Sequence, residues 1–176
     1  MTDAVLIARV LTDDDPQAFD ELVERYQSPV RALLLRLTRS NQSLSDELAQ
    51  DTFLQAYRSL RSFKGDARFS TWLHSIAYRA FLVHIRSQRA TEQYEDDLHG
   101  TAIEPCTRTS DFNHDLELAM QSLSLPERAV LTLCLGDGCT HEEAATALNL
   151  PLGTVKTHAS RGREKLKALL SEWQNA

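Results

Sequence analysis

Lys156, Thr157, His158, Ser160, Arg161 and Arg163 stand within eight residues of one another, and their types are those of a nucleic-acid contact. Lysine and arginine grip phosphate, and arginine also presents a fork of donors to a guanine edge. Hydroxyls and imidazole reach other base edges in the major groove. Val155, Ala159, Gly162, Leu166 and Leu169 recur at steps of three or four through the same stretch and form a core stripe, so the polar set falls off it. Upstream, Thr140 precedes an Ala/Leu-rich helix with Glu143 three residues on, the spacing of a capping box. That helix ends near Asn149, Pro151 and Gly153 break the chain, and Thr154 is expected to cap the next helix. A short capped helix, a tight turn and a basic helix are the parts of a helix-turn-helix, whose second helix enters the major groove. A solvated basic face would share this composition; the capped helix and tight turn favour DNA.

A second set mixes rings with cations. Phe63, Lys64, Arg68, Phe69 and Ser70 lie in a turn, and Trp72, Arg79 and Arg86 lie on a helix expected from about Thr71 to Arg89. Aromatic faces beside Arg and Lys are what stacking on unpaired bases requires. The alternative is that some of these rings are core, and for at least one of Phe63, Phe69 and Trp72 that reading is expected. On the same helix Leu73, Ile76, Ala77, Ala80, Phe81 and His84 are assigned to the buried face.

A third set is acidic. Asp46, Glu47, Gln50, Asp51, Thr52 and Phe53 sit in a helix expected to begin after Ser43. Carboxylates near a helix start compensate its dipole, which alone would justify them. The functional alternative is a docking face for a basic partner.

The elements that carry these sets read as helices throughout. Pro16 after Asp13–Asp15 opens a long helix bearing Phe19, Leu22, Val23, Tyr26, Val30, Leu33, Leu34 and Leu37, with Pro29 expected to kink or break it. The fold class is thus all-α: two small helical domains joined by a flexible acidic linker, the C-terminal one a helix-turn-helix. The expected bounds are 1–90, 91–115 and 116–176.

The formal net charge of −6 hides this arrangement. Residues 91–115 alone carry one base against seven acids, whereas residues 58–89 hold seven bases and one acid. Two basic patches with an acidic tether describe the chain better than its total. No apolar run approaches the length of a membrane span, and MTDAVLIARVLTDDD is too acidic for a signal peptide, so a cytoplasmic location is expected. Three cysteines do not make a disulfide framework, and Cys134, Cys139 and His141 match no zinc spacing. No metal, no cofactor and no catalytic residue is expected; phosphate loops and nucleophile motifs are missing from the sequence.

The chain resembles the bacterial sigma factors of the extracytoplasmic-function (ECF) type. The resemblance rests on D-x-x-x-Q-x-T-F-L-x-A-Y from Asp46, F-K-G-D-A-x-F-x-T-W-L from Phe63, and G-T-V-K-T-H-x-x-R-G-R-E-K-L from Gly153. It implies a promoter-specificity subunit. Asp46, Glu47, Gln50, Asp51, Thr52 and Phe53 would dock on the clamp helices of the β′ subunit of core RNA polymerase. Phe63, Lys64, Arg68, Phe69, Ser70, Trp72, Arg79 and Arg86 would read and hold the melted −10 element. Thr154, Lys156, Thr157, His158, Ser160, Arg161 and Arg163 would read the −35 element of promoter DNA. An anti-sigma factor would hold the protein inactive. Relatives commonly carry Asn at the position of Arg79 and Asp at that of Val83, which implies an altered −10 preference. GTVKTHASR also resembles the recognition helices of LuxR-type regulators, which bind duplex DNA without replacing a sigma factor. A protein-binding helical adaptor is the other alternative, and it predicts no salt-sensitive DNA binding.

Overall fold

The computed structural model describes the backbone of residues 1–92 and 112–174 and the side chains of 1–88 and 115–171. Every regular element among the described residues is helical. The stretch expected to form the acidic linker lies almost wholly outside them.

The first group has four helices. α1 (Asp3–Asp13) buries Leu6, Ile7 and Val10 and ends where Asp14 turns left-handed at φ 51°. It was not expected from the sequence, although these residues already follow the three-to-four spacing of one helix face. α2 (Pro16–Leu37) starts on Asp15, whose carboxylate accepts from the backbone N–H groups of Gln17 at 3.0 Å and Ala18 at 3.3 Å. Of the kink or break expected at Pro29, the break does not occur, and α2 runs through it. Val30, Leu33, Leu34 and Leu37 beyond it are almost wholly buried. Burying several such side chains, at about 1.5–3 kcal/mol each, outweighs the roughly 3 kcal/mol a proline costs a helix interior.

Arg39 and Ser40, both at positive φ, make the link to α3 (Gln42–Ser59). The α3 cap is Asn41, whose side chain accepts from the Leu44 N–H at 3.1 Å, two residues earlier than expected. A 3-10 turn (Leu60–Ser62) and a loop with Gly65 at φ +78° lead into α4 (Phe69–Glu92).

The second group comprises α5 (Phe112–Ser122), α6 (Leu125–Leu131), a π-helical turn (Thr132–Gly136), α7 (His141–Leu148) and α8 (Leu152–Gln174). The expected box at Thr140 is present: Glu143 N–H donates to Thr140 Oγ1 at 3.1 Å and Thr140 N–H donates to Glu143 Oε2 at 2.8 Å. A second box joins Ser124 and Glu127, and Lys165 of α8 donates to both Glu127 carboxylate oxygens at 2.8 Å. Asn149 closes α7 in the left-handed conformation that asparagine tolerates, φ 53°. Because α8 begins at Leu152, Thr154 lies inside its first turn and is not its cap.

The two groups are packed against each other. One buried cluster runs from Leu6 through Leu73, Ala77 and Phe81 of α4 to Val130, Ala144, Leu148 and Val155. A smaller one ties α5, α6 and α8 through Met120, Leu123, Leu131 and Leu166. Gly162 lets α8 cross α6 closely, since a Cβ there would stand 2.7 Å from Leu131 Cδ1. Gly162→Val is therefore expected to lower stability by about 1–3 kcal/mol through overpacking. Urea unfolding measures this directly. An unchanged midpoint would mean that Leu131 moves aside at no cost.

Candidate nucleic-acid interface

Along α8, Val155, Ala159, Gly162 and Leu166 are buried, and Lys156, Thr157, Ser160, Arg161 and Arg163 are exposed. The helix thus turns a cationic, hydroxyl-bearing face outward near its N-terminus. Thr157 Oγ1 spends its proton on the Gly153 carbonyl at 2.9 Å. Thr154 and His158 are half-buried, and His158 Nδ1 is buried without a hydrogen-bond partner. His158 therefore presents only part of its ring to solvent.

The rings of the second set form one cluster. Phe63 lies 5.6 Å from Phe69 and 5.3 Å from Trp72, Phe69 lies 5.5 Å from Trp72, and Tyr26 of α2 meets Phe69 at 5.4 Å. Phe69 is 4% exposed and belongs to the core, so for this ring the structural reading holds. Phe63 and Trp72 are half-buried and keep an open edge, while Lys64, Arg68, Arg79 and Arg86 stand exposed around them. Arg79 is aimed by Ser75, donating from Nε to its carbonyl at 3.2 Å and from Nη2 to its hydroxyl at 3.1 Å. Phe63, Lys64, Trp72, Ser75, Arg79 and Arg86 line a cleft of about 840 Å³ whose other wall is Thr146–Leu150.

On α3, Glu47, Gln50 and Asp51 face solvent. Asp46 is engaged by Arg31 of α2, whose Nε donates to Oδ1 at 2.5 Å. Phe53 is half-buried. Thr52 is fully buried, donating to the Leu48 carbonyl at 2.7 Å, and faces the core. Beside this face runs a groove of about 690 Å³ between α3 and α4. Leu54 and Val83 on its walls are exposed, Glu47 and Asp51 lie among its acids, and Arg58 and Arg79 among its bases.

Sequence reasoning missed the groups that join the two halves. Arg68 Nε lies 2.5 Å from Glu143 Oε1, and its Nη2 donates to Oε2 at 2.7 Å. The Thr140 backbone N–H and then Arg68 hold the Glu143 carboxyl below the usual carboxylate range. His74 of α4, 1% exposed, has Nε2 at 3.3 Å from Asp137 Oδ2 without making a hydrogen bond. Burial, with Arg68 nearby, pushes His74 down to about 4, and burial pushes Asp137 up to about 6. Thr71 Oγ1 and the Nε and Nη1 of Arg128 are also buried with no hydrogen-bond partner. Each such group costs on the order of 1–3 kcal/mol. Tyr78 too is buried on α4, whereas His84 is only half-buried.

Cys139 is buried, Cys134 half-buried, and neither is in a disulfide. Burial lifts the Cys139 thiol to about 11, which leaves it protonated and unreactive at neutral pH. Among the described residues no His, Cys, Asp or Glu group is arranged to hold a metal ion, and no helix is long and apolar enough to cross a membrane.

Residues 22–91 match the family model of sigma-70 region 2, and residues 113–166 match that of sigma-70 region 4. The chain is 32% identical to the RNA polymerase sigma-H factor of Pseudomonas aeruginosa, over 96% of this chain and 93% of that one. It is also 32% identical to the ECF RNA polymerase sigma-E factor of Escherichia coli K12, over 94% and 93%. Among solved structures it is similar to the sigma factor RpoE of Bartonella quintana in complex with the anti-sigma factor NepR, with TM-score 0.74, 27% identity and coverage of 87% and 96%. It is likewise similar to CnrH in complex with the cytosolic domain of CnrY, with TM-score 0.71, 26% identity and 97% coverage of both chains. The chain belongs to the sigma-70 family of transcription initiation factors, as an ECF sigma factor.

The His74–Asp137 contact makes a signed prediction. Asp137 favours its neutral form in the fold, so its burial penalises the fold at neutral pH, and that penalty fades as pH falls through about 6. His74 also favours its neutral form, so its contribution is complete above its ordinary value of 6.5 and is lost as pH falls toward about 4. The two oppose each other over one window. Relative to the unsubstituted chain, His74→Gln should gain stability between pH 7 and pH 5, and Asp137→Asn should lose it. Urea unfolding at the two pH values checks this, and slopes of the same sign would contradict it.

Proposed function

We propose that this chain binds core RNA polymerase and directs it to promoters, with α8 reading the −35 element and the Phe63–Ser70 turn with α4 holding the melted −10 element. The observation that carries this reading is the outward face of α8. Lys156, Thr157, Ser160, Arg161 and Arg163 stand clear of the core on a helix whose predecessor is doubly capped. Each good bidentate base contact there supplies roughly 1–3 kcal/mol of discrimination. At the −10 element the open edges of Phe63 and Trp72 offer stacking to a base already leaving the duplex, and Lys64, Arg68, Arg79 and Arg86 neutralise its phosphates. Arg79 and Val83 alter the preference there.

Glu47, Gln50 and Asp51 on α3 supply the docking face for the β′ clamp helices, with Asp46, Thr52 and Phe53 holding that helix in place. In this reading residues 1–90 form the polymerase and −10 unit, 116–176 the −35 unit, and 91–115 the tether, all acting in the cytoplasm. The similar structures were solved with anti-sigma partners. The groove between α3 and α4 gives such a partner an apolar floor with charged rims.

Two substitutions separate the roles. Arg161→Ala should weaken promoter-directed initiation tenfold or so while leaving polymerase binding intact, consistent with one lost base contact. Asp51→Arg should impair assembly with core polymerase measured by co-elution. Loss of polymerase binding in Arg161→Ala, or normal assembly in Asp51→Arg, would overturn the assignment of those faces.

A further inference from the structure

Arg79 differs from the other cations around Phe63 and Trp72 in how it is held. A guanidinium has a side edge, made of Nε–H and one Nη2–H, and an end edge, made of one Nη1–H and the second Nη2–H. Ser75, one turn earlier on α4, takes up the side edge. Its carbonyl accepts from Nε at 3.2 Å and its hydroxyl accepts from Nη2 at 3.1 Å. The hydroxyl of Ser75 in turn donates its own proton to the Trp72 carbonyl at 2.7 Å. Trp72, Ser75 and Arg79 are thus joined in one directed chain, and nothing among the described residues takes up the end edge. Arg79 is exposed and lines the same cleft as Phe63 and Trp72.

What remains is a fixed fork of two parallel donors beside an open aromatic ring. A phosphate contact needs charge but little aim, whereas reading a base edge needs a donor pair set in place before the base arrives. Two adjacent acceptors are what such a fork selects. Guanine presents them as O6 and N7, while adenine sets a donor beside its N7 and thymine offers O4 alone in the major groove. Cytosine has adjacent acceptors only on the edge that pairs, so they come free only after the strands part. The guanine pair of acceptors faces the major groove while the duplex is intact and stays accessible when the base leaves it. A contact to guanine therefore forms before melting and persists through it.

We propose that Arg79 selects guanine at one position of the −10 element, with Ser75 as the positioning residue that fixes its fork. The inference rests on the −10 reading of α4, and it leaves the phosphates there to Lys64, Arg68 and Arg86.

Transcription by holoenzyme assembled from core RNA polymerase and this chain tests the proposal, on a promoter pool randomised across the −10 element with transcripts counted by sequencing. The unsubstituted chain should favour guanine at one position by about tenfold, the effect of one bidentate base contact. Arg79→Ala should flatten that position while the preferences at the other positions persist. Ser75→Ala should cut the guanine preference to about two- to threefold, as one lost hydrogen bond loosens the fork. Ser75→Thr keeps the hydroxyl and should restore it. A helix merely weakened by these changes would lower output from all promoters alike, not the preference at one position.

Equal loss across all sequences in Arg79→Ala would mark a phosphate contact and overturn the proposal. A preference for cytosine or adenine at the position that Arg79 controls would overturn it too, and full guanine preference in Ser75→Ala would overturn the positioning role. Discrete start sites whose −10 preference ignores Arg79 would overturn the guanine contact alone. No start site with the unsubstituted chain would overturn the promoter-specificity reading and the contact with it.

Discussion

Helix α4 must be packed on both sides, and most of the molecule follows from that constraint. One face of it, through Leu73, Ala77 and Phe81, belongs to the cluster that also holds α2 and α3. Its other neighbour is α7, whose Ala144, Ala147 and Leu148 join the same buried cluster, with Arg68–Glu143 and His74–Asp137 beside it. The rings that would stack on bases are anchored by the same helix. Phe69 is committed to the core, and that commitment orients Phe63 and Trp72 with open edges. A turn that holds single-stranded DNA needs such a rigid floor, because a ring free to rotate would lose in entropy what stacking returns.

Electrostatics explains how a chain of net charge −6 serves as a DNA-binding factor. Several acids on or beside the described helices are engaged within the fold: Asp15 caps α2, Asp46 meets Arg31, Glu127 meets Lys165, and Glu143 meets Arg68. The bases of α8's outer face are left for a partner. Net charge describes solubility, whereas the local sign on each face sets what that face attracts.

The helix-turn-helix was legible from the sequence because its signals are local. A capping box spans three residues, and the stripe of Val155, Ala159, Gly162 and Leu166 is carried by one helix. Register at helix starts was less so: Asn41 caps α3 and α8 begins before Thr154, since several hydroxyl and amide residues near each start compete for the role. The burial of His74, Tyr78 and Thr71 on α4 was illegible, because it is imposed by helices remote in sequence. Asp137 carries no local signal, and only the fold brings it 3.3 Å from His74. Glu143 was readable as a cap but not as the partner of Arg68, seventy-five positions earlier.

The central claim is that this chain confers promoter specificity on a polymerase that lacks it. Run-off transcription with purified bacterial core RNA polymerase on a pool of genomic promoter fragments, with and without the protein, tests it most directly. Discrete start sites that appear only with the protein, preceded by shared −35 and −10 sequences, are the predicted result. Salt-sensitive binding to duplex DNA with no new start site would contradict the claim and favour a regulator that leaves the sigma factor in place.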